Sequence, residues 1–255
     1  MELKKLIHKF KNFIKVFIFS NFKNTIFTLK KINKDEIIVH HHLGLGDAII
    51  CNGIINLITE KSIKVNIPVL KKNYDQLSFL YSENDYVNLF TVENENTIYK
   101  NSKQILRLGF EKNFGFFNSS FYKQLDIPYE YSFEYFKLPI NTEKEQGLED
   151  HLFDFYKIKK DYLLVHRTSS YGTINLKLNK NLPIIYVEKD SDIYKNIFYY
   201  RSLILNATEI HCIDSSFLHL VERVDTNAKL FFHNLKKENQ GSEKLELYKN
   251  WNIII

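Results

Sequence analysis

The residues best suited to chemistry begin in a short loop that reads His42-Leu43-Gly44-Leu45-Gly46-Asp47. Its glycines, Gly44 and Gly46, allow the backbone to turn sharply and to approach a ligand closely. The predicted helix that follows offers unpaired N–H groups at its start, and these attract a negatively charged group. Asp47 at this position suits two roles, a general base for a bound substrate or an N-cap of the helix, and the sequence leaves both open.

The same loop does not fit two well-known nucleotide-binding fingerprints. In Gly44-Leu45-Gly46-Asp47-Ala48-Ile49, an isoleucine stands where a dinucleotide-binding loop has its third glycine. The next predicted strand, Lys64-Val65-Asn66-Ile67, ends without the acidic residue that binds a ribose in such proteins. The chain has no Gly-Lys-Ser or Gly-Lys-Thr, so a P-loop is excluded as well.

A second motif, Cys212 to Leu220, reads Cys-Ile-Asp-Ser-Ser-Phe-Leu-His-Leu. A predicted strand ends there in Asp214, Ser215 and Ser216 and passes directly into a predicted helix. Two hydroxyl groups beside the first amides of a helix suit the oxygens of a diphosphate. The alternative is an ordinary helix cap, in which the side chain of Asp214 or Ser215 closes the helix start.

A third motif follows the strand that ends at Val165-His166. Arg167, Thr168 and Ser169 offer a guanidinium and hydroxyl groups, a set that suits phosphate oxygens. The chain has only four arginines, so one of them at a strand end is notable. The alternative is a solvated loop.

These motifs need a scaffold that brings them together, and the pattern of the chain predicts one. Apolar strands alternate with helical stretches within 35–145 and again within 146–255, which indicates βαβ units and parallel sheets. We therefore predict an α/β fold class with two Rossmann-like lobes. The carboxyl ends of strands bind ligands in such sheets, so we expect the three motifs to line one cleft. Strands are predicted at 37–40, 63–67, 87–92, 104–108, 162–166, 184–187, 209–213, 229–232 and 253–255, helices at 47–59, 73–81, 148–156, 192–206, 215–224 and 243–248, and irregular structure at 109–145.

The first 34 residues differ from the rest of the chain in charge. They hold nine lysines and one glutamate, a net charge of +8, whereas the whole chain carries +5 and the remaining 221 residues therefore carry −3. A nucleic-acid-binding body is not expected, because its basic residues would lie on the fold itself. Apolar residues at helical spacing predict an amphipathic helix over 2–19. Its apolar face suits either an anionic membrane surface or the body of the protein.

The composition predicts a cytoplasmic protein, peripheral at the inner face of the membrane if residues 2–19 bind lipid. Cys51 and Cys212 are too few for a disulfide framework and lie in apolar stretches, as buried reduced thiols do. No apolar run reaches the roughly 18 residues needed to span a bilayer. A secretory signal is not expected, since no small-residue cleavage site follows an apolar core.

Two further groups of residues bear on metal binding. Asp190-Ser191-Asp192 has the Asp-x-Asp form with which metal-dependent transferases hold a divalent ion, but it directly precedes a predicted helix, where Asp192 suits a cap. His40-His41-His42 cannot converge on one ion, because neighbouring strand residues point to opposite faces. The same alternation argues against a thiol nucleophile at Cys212, between His211 and Asp214. We predict no metal site.

The first two motifs resemble those of a known group of enzymes. The loop at 42–49, continued by Cys51-Asn52-Gly53, resembles the opening of heptosyltransferase-like and related polysaccharide-biosynthesis glycosyltransferases. The stretch from Ile213 to Leu220 resembles their motif at the donor site, an Asp, a Thr or Ser, small or apolar residues and a His. The resemblance extends over about residues 36–235. It implies a GT-B fold, an inverting transfer, a nucleotide-sugar donor and no required metal or other cofactor.

The resemblance also implies roles for particular residues. Asp47 is the implied catalytic base, and Glu188, which follows a strand, is a candidate for binding the ribose or the base. The other implied donor-site residues lie in the three motifs: Gly44, Gly46, Arg167, Thr168, Ser169, Asp214, Ser215, Ser216 and His219.

The function predicted from these observations is transfer of a sugar from a nucleotide sugar to a glycan or lipid-linked acceptor in surface polysaccharide synthesis. Residues 1–34 form the basic segment, 35–145 the acceptor-side lobe and 146–255 the donor-side lobe. The second lobe is short for the family. A non-catalytic protein that binds a sugar nucleotide or a glycan on a degenerate scaffold is therefore the alternative.

Overall fold

The computed structural model describes residues 35–100, 105–110, 115–169, 172–176, 178, 181–234 and 245–255. The predicted amphipathic helix at 2–19 lies outside the described residues. The described chain contains two parallel sheets with helices packed between and around them, and it therefore confirms the predicted α/β class.

The first sheet is built from four parallel strands in the order β3-β2-β1-β4. Alternate apolar residues on these strands, such as Ile37 and Val39, are buried against helix α1, which follows the glycine loop. Isoleucines on several faces of α1 are completely buried, because neighbouring helices surround it. The elements are β1 (Glu36–His40), α1 (Leu45–Thr59), β2 (Lys64–Leu70), α2 (Tyr74–Leu80), β3 (Val87–Val92) and β4 (Ile105–Arg107), with 3-10 turns at Lys71–Asn73 and Glu95–Lys100.

The stretch predicted as irregular contains helices, so that prediction was wrong. Helices α3 (Phe117–Lys123), α4 (Tyr131–Glu134) and the start of α5 (Thr142–Tyr156) lie there. Aromatic side chains rather than a periodic apolar stripe hold them. Tyr122 is fully buried, and its hydroxyl donates to the carbonyl of Ile50 at 2.7 Å. Helix α5 begins six residues before its predicted start, because Asn141 caps it by accepting from the amide of Lys144 at 3.0 Å.

The second sheet has five parallel strands in the order β11-β10-β9-β5-β8. Beside it lies a two-stranded antiparallel hairpin, β6-β7, which the sequence did not predict. The elements are β5 (Leu163–His166), β6 (Thr168–Ser169), β7 (Gly172–Thr173), β8 (Ile184–Tyr186), a 3-10 turn (Ile197–Tyr200), α6 (Arg201–Asn206), β9 (Glu209–Cys212), α7 (Ser216–Val221), β10 (Lys229–His233) and β11 (Trp251–Ile254).

Two predicted helices of the second half differ from the structure. The helix predicted at 192–206 begins only at Ile197, as a 3-10 turn, because Asp192 holds the preceding residues in a tight turn. In the helix predicted at 243–248, the described residues 245–248 are not helical. The buried carboxylate of Glu222 binds that segment instead and accepts from the amide of Tyr248 at 2.7 Å.

One hydrophobic cluster extends through both sheets. It includes Val39 of β1, Ile210 of β9 and the buried isoleucines of α1, and α1 packs against α3, α4 and α7. A guanidinium joins the halves further, since Arg223 donates to the carbonyl of Ser132 at 3.2 Å. The halves thus share a core around α1. Their separation into two lobes, with limits at 34 and 145, stays a prediction.

Within the described residues, none of the helices has both the length and the apolar character that crossing a bilayer requires.

Candidate functional site

The starts of α1 and α7 are in direct contact. A Cβ atom placed on Gly46 would lie 3.2 Å from Cδ2 of His219 and 3.5 Å from Cα of Ser216. Even a methyl group at position 46 would therefore press on the His219 ring. The first and second motifs, which come from separate sheets, therefore meet at this point, and Gly46 makes the close approach possible.

Asp47 lies in the first turn of α1, with Gly44 as the N-cap residue. Its Oδ2 accepts a hydrogen bond from the amide of Gly44 at 3.1 Å, and a Cβ on Gly44 would collide with the same oxygen. The carboxylate thus stabilises the helix start from the third helical position, whereas the sequence interpretation placed Asp47 at the N-cap itself. A carboxylate has about four acceptor positions, so this bond is compatible with a second role. The catalytic role stays a prediction.

The turn before Gly44 has an unusual backbone. Leu43 adopts the left-handed conformation with φ of 59°, which is unfavourable for a side chain of this size. Its amide donates to the carbonyl of His41 at 2.7 Å, and Asn73 donates to its carbonyl at 3.2 Å. The side chain of Leu43 is buried between strands of the first sheet and Ile98. Packing therefore holds this strained residue in place.

The side chains of the three consecutive histidines lie on two sides of the chain, as the strand alternation predicts. His40 and His42 both contact the ring of Phe110, with centroids at 4.9 and 4.1 Å, and His42 Nε2 donates to the carbonyl of Gly109 at 2.7 Å. His41 is buried apart from that ring. Burial is the main reason that the pKa values of His40 and His41 fall to about 3. Among the described residues, no three His, Cys, Asp or Glu side chains come together as metal ligands.

Ser215 is the N-cap of α7, and its hydroxyl is fully engaged. The oxygen accepts from the amide of Leu218 at 3.4 Å, donates to the carbonyl of Ile213 at 3.2 Å and lies 3.0 Å from Nδ1 of His166. His166 also stacks on Phe217 at 5.3 Å, and burial lowers its pKa to about 4. Ser215 thus serves as the cap, and its role in donor binding stays a prediction.

His219 is buried in α7 beneath Gly46. Burial, with a smaller contribution from the positive charge of Arg223, lowers its pKa to about 3, so the ring is neutral at pH 7. Arg223 also donates to the carbonyl of His219 at 2.8 Å. Ser216, in the first turn, is partly exposed at the contact with Gly46. Asp214 is exposed at the end of β9.

The third motif forms a charged cluster at the ends of β5 and β8. The Nε of Arg167 lies 2.9 Å from Oε1 of Glu188, and the guanidinium stacks over the ring of Tyr186 at 4.1 Å. The two charged side chains are 23% and 30% exposed. Thr168 and Ser169 form strand β6, where the hydroxyl of Thr168 is hydrogen-bonded to that of Thr173 at 3.0 Å. Arg167 is thus accessible, and the carboxylate of Glu188 compensates its charge.

The structure therefore unites some predicted residues and adds others. Gly46, Ser216 and His219 come together at the contact of two helices, and Arg167 and Glu188 form an ion pair. The sequence interpretation missed Tyr186, under Arg167, and His166, beside Ser215. His166 directly precedes Arg167 at a strand end, so its position was a usable signal, whereas the pairing of Tyr186 with Arg167 needs the strand register.

The Asp-x-Asp interpretation loses its support in the structure. Both oxygens of the Asp192 carboxylate accept from backbone amides, those of Tyr194, Lys195 and Asn196, at 2.8–2.9 Å. Asp192 is therefore committed to a turn. The thiol interpretation loses its support as well, because Cys212 is buried and burial raises its pKa, while His211 is hydrogen-bonded to His233 at 3.0 Å.

Comparison with known proteins identifies a similar fold. The sequence matches no protein-family model and no curated protein. A glycosyl transferase family 9 protein from Veillonella parvula has a similar crystal structure, with a TM-score of 0.53 over 86% of this chain and 85% of that chain. The two sequences are 8% identical over this alignment. At that identity the likeness is one of fold, and it agrees with the parallel α/β architecture described above.

Proposed function

We propose that the protein is a glycosyltransferase that moves a sugar from a nucleotide-sugar donor to a glycan or lipid-linked acceptor in surface polysaccharide synthesis. The observation that carries the proposal is the contact of Gly46 with Ser216 and His219. It joins the two motifs that resemble the heptosyltransferase-like enzymes, within a fold similar to that of a family 9 glycosyl transferase. Two motifs that meet in space support the proposal more strongly than either motif alone.

In the proposed reaction, an acceptor hydroxyl attacks the anomeric carbon of the donor sugar with inversion and without a metal ion. Asp47 takes the hydroxyl proton, and the bond between the anomeric carbon and the diphosphate breaks, so that the diphosphate leaves with the electron pair. General-base help of this kind typically contributes about 10²–10⁴-fold. The bond from the Gly44 amide to Oδ2 orients the carboxylate.

The departing diphosphate gains negative charge, which cationic and hydroxyl groups stabilise. Arg167, with Thr168 and Ser216, supplies such groups in this proposal. Glu188 then exchanges its contact with Arg167 for the hydroxyl groups of the donor ribose, since a carboxylate accepts hydrogen bonds from a diol. The partial exposure of the Arg167–Glu188 pair supports this exchange, because an incoming phosphate reaches the guanidinium without unfolding the sheet.

A thermal-shift panel tests the donor class. Wild-type protein is heated with UDP-, GDP- and ADP-linked sugars and with the corresponding nucleoside diphosphates. We expect at least one nucleotide sugar to raise the melting temperature in proportion to ligand occupancy. An unchanged melting temperature with the whole panel contradicts the proposal.

The variant Asp47→Asn then separates catalysis from capping. Asparagine keeps a side-chain oxygen that can accept from the Gly44 amide, so the fold and donor binding are expected to persist while transfer falls by at least about 100-fold. Asp75→Asn is the matched control, since Asp75 is an exposed acid in the first turn of α2. Full transfer by Asp47→Asn removes Asp47 from the mechanism.

The engaged state of two predicted site residues favours a second candidate function. Asp47 binds its own helix start, and Arg167 is paired with Glu188. These contacts also suit a non-catalytic protein that binds a sugar nucleotide or a glycan. Saturable binding of a nucleotide sugar without release of the nucleotide, over hours and with candidate acceptors present, identifies this second function.

The remaining parts of the proposal concern location. A lipid-linked acceptor is found at a membrane, and residues 2–19 carry the lysines and the apolar stripe that suit an anionic membrane surface. We therefore propose a cytoplasmic protein that works at the inner face of the membrane. Co-sedimentation with vesicles of phosphatidylglycerol, and its loss when residues 2–19 are deleted, tests this part separately.

A further inference from the structure

His41 is exceptional among the described histidines near the glycine loop. It is 1% exposed, and neither Nδ1 nor Nε2 has a hydrogen-bond partner. By contrast, His42 is bonded to the carbonyl of Gly109, and His166 is bonded to Ser215. Buried polar groups are almost always paired in native proteins, because an unpaired one loses its water without compensation. The position of His41 therefore needs an explanation.

The charge state of His41 limits what its partner can be. Burial lowers its pKa to about 3, so at pH 7 the ring is neutral and carries one N–H donor and one lone-pair acceptor. Phosphate oxygens or a carboxylate would pair only the N–H group, and a metal ion would take only the lone pair. Hydroxyl groups both donate and accept, so a sugar with neighbouring hydroxyls complements both nitrogens.

The backbone next to His41 carries strain of a second kind. Leu43 is held at a φ of 59°, and its amide closes a tight turn onto the carbonyl of His41. Strained residues of this kind persist where the surrounding structure holds them, and they concentrate at ligand clamps and switch regions. A rearrangement of 41–44 would relieve the backbone at Leu43 and would give the ring of His41, two residues earlier in the same turn, access to a ligand at the start of α1.

We propose that His41 is a sugar-binding residue, which receives hydroxyl groups of the donor or acceptor sugar when the turn at 41–44 rearranges. The inference rests on the proposed function in one respect, that the substrate is a sugar. It adds a recognition residue that neither the motifs nor the fold likeness assigns. It also gives the strained turn a role, because the energy released in the turn favours the sugar-bound state.

The test compares His41→Phe with wild-type protein in three ligand arms. The arms are the panel nucleotide sugar with the largest shift, its nucleoside diphosphate alone, and free glucose, galactose and mannose at high concentration. Phenylalanine keeps a flat aromatic ring, somewhat larger than imidazole, and removes both unpaired nitrogens, so we expect a higher melting temperature without ligand. We expect the shift with the diphosphate to be retained and the additional shift given by the sugar to be lost.

Tyr200→Phe is the matched control, because the Tyr200 hydroxyl is also buried without a partner but lies in the 3-10 turn before α6. It is expected to change the melting temperature without altering any ligand arm. His41→Gln keeps a donor and an acceptor, and we expect it to retain part of the sugar-dependent shift. This variant decides the question if phenylalanine does not pack at position 41.

The outcomes separate the two proposals. A His41-dependent shift of the melting temperature with the nucleotide sugar indicates that His41 binds the donor sugar. Such a shift with free sugars alone indicates that His41 binds the acceptor. If wild-type protein responds to free sugars and to no nucleotide sugar or nucleotide, the proposed donor class is contradicted and the His41 inference is supported. The inference is overturned if His41→Phe and His41→Gln retain the full wild-type sugar response, or if no arm gives a His41-dependent response. It is also overturned if His41→Phe lowers the melting temperature while His41→Gln keeps it. That result would indicate that buried water already satisfies the ring.

Discussion

The two helix starts that meet at Gly46 differ in how completely their polar groups are satisfied. At the start of α7, Ser215 makes three polar contacts, and His166 is one of its partners. At the start of α1, Gly44 provides no side-chain cap, the preceding Leu43 is strained, and His41 is buried without a hydrogen-bond partner. The α7 side is thus arranged in advance, whereas the α1 side has an energetic reason to change when a ligand binds.

Contacts beyond the helix starts accentuate this difference. The α7 side is fastened to α4, because Arg223 reaches both the carbonyl and the hydroxyl of Ser132. The opposite end of α7 is fastened as well, since Lys249 donates to the carbonyl of Val221 at 2.8 Å. In the proposed transferase, a fixed donor side and an adjustable acceptor side would suit the exclusion of water before the sugar moves.

The largest expected effect is a loss of stability in acid. The pKa values of His41, His166 and His219 are about 3, 4 and 3 in the folded protein, all below the unfolded value of about 6.5. The unfolded chain therefore binds more protons below pH 6.5, and stability that is present above that pH is lost as the pH falls. At pH 5, each ring lowers the free energy of unfolding by about 2 kcal/mol, and the three rings together lower it by about 6 kcal/mol.

Urea unfolding followed by circular dichroism at pH 7.5 and pH 5 measures this loss. The α7 side contributes two of these three rings, and His40 and His233, whose pKa values are lowered to about 3 and 4, add to the measured loss. In His41→Phe, the loss between the two pH values is expected to shrink by about 2 kcal/mol. Equal unfolding free energies at both pH values would show that these rings reach protons in the folded protein.

The second effect comes from the contact of the helix starts. Gly46→Ala places a Cβ 3.2 Å from the His219 ring and 3.5 Å from the Ser216 backbone, so the buried His219 ring must move by a few tenths of an ångström. We expect a loss of roughly 1–3 kcal/mol, as for other overpacked cores, although alanine favours a helix more than glycine does. Chemical denaturation at pH 7.5 measures it.

Gly147→Ala is the control for Gly46→Ala. Gly147 also lies within a helix, but its nearest neighbour is the hydroxyl of Tyr194, a side chain that is 37% exposed and free to move aside. Alanine there is expected to be neutral or to stabilise the protein by up to about 1 kcal/mol. If both substitutions stabilise the protein, the helix starts have more room than the contact distances indicate.

Elements with a strong local pattern were predictable from the sequence. Strand β3 has its predicted limits, Val87–Val92, because its apolar residues, interrupted by Asn88 and Thr91, lie between the acidic residues Asp85 and Glu93. Helix α1 was found from its isoleucines, and the structure starts it two residues earlier, because Asp47 lies in the first turn rather than at the cap. Hydrophobic period therefore fixed the element, and the capping interactions fixed its first residue.

Features that depend on distant partners were not predictable. The aromatic helices α3 and α4 lack a regular stripe, since residues such as Tyr122 bond to α1 rather than repeat along one face. The pairing of Arg167 with Glu188 joins residues 21 positions apart through the register of β5 and β8. The glycine loop was predicted to bind a ligand. The packing role of Gly46 becomes evident only from the position of α7 in the structure.

The third effect concerns the cap on the α7 side. Ser215→Ala removes the acceptor for the Leu218 amide and leaves Nδ1 of the buried His166 without its partner. Losing a cap costs about 1 kcal/mol, and the unpaired imidazole adds to it, so we expect about 1–2 kcal/mol in all. Denaturation of Asn141→Ala is the control, because Asn141 caps α5 without a second side-chain partner of this kind. Equal losses in the two variants would show that His166 gains nothing from Ser215.

The smallest expected change in stability is at the ion pair between β5 and β8. Glu188→Gln removes a partly exposed pair, so the free energy of unfolding should change by less than about 1 kcal/mol.

Binding should change more clearly, because Arg167 keeps its positive charge without a competing carboxylate. We expect inorganic pyrophosphate to bind several-fold tighter by calorimetry at low salt, and the gain to shrink as salt screens the charge. Glu83→Gln, at an exposed glutamate of the first half, should leave this affinity unchanged. If Glu188 binds the ribose, the substitution should increase the affinity for a nucleoside diphosphate less than the affinity for pyrophosphate. Weaker pyrophosphate binding in Glu188→Gln would mean that Arg167 needs Glu188 to hold it in place.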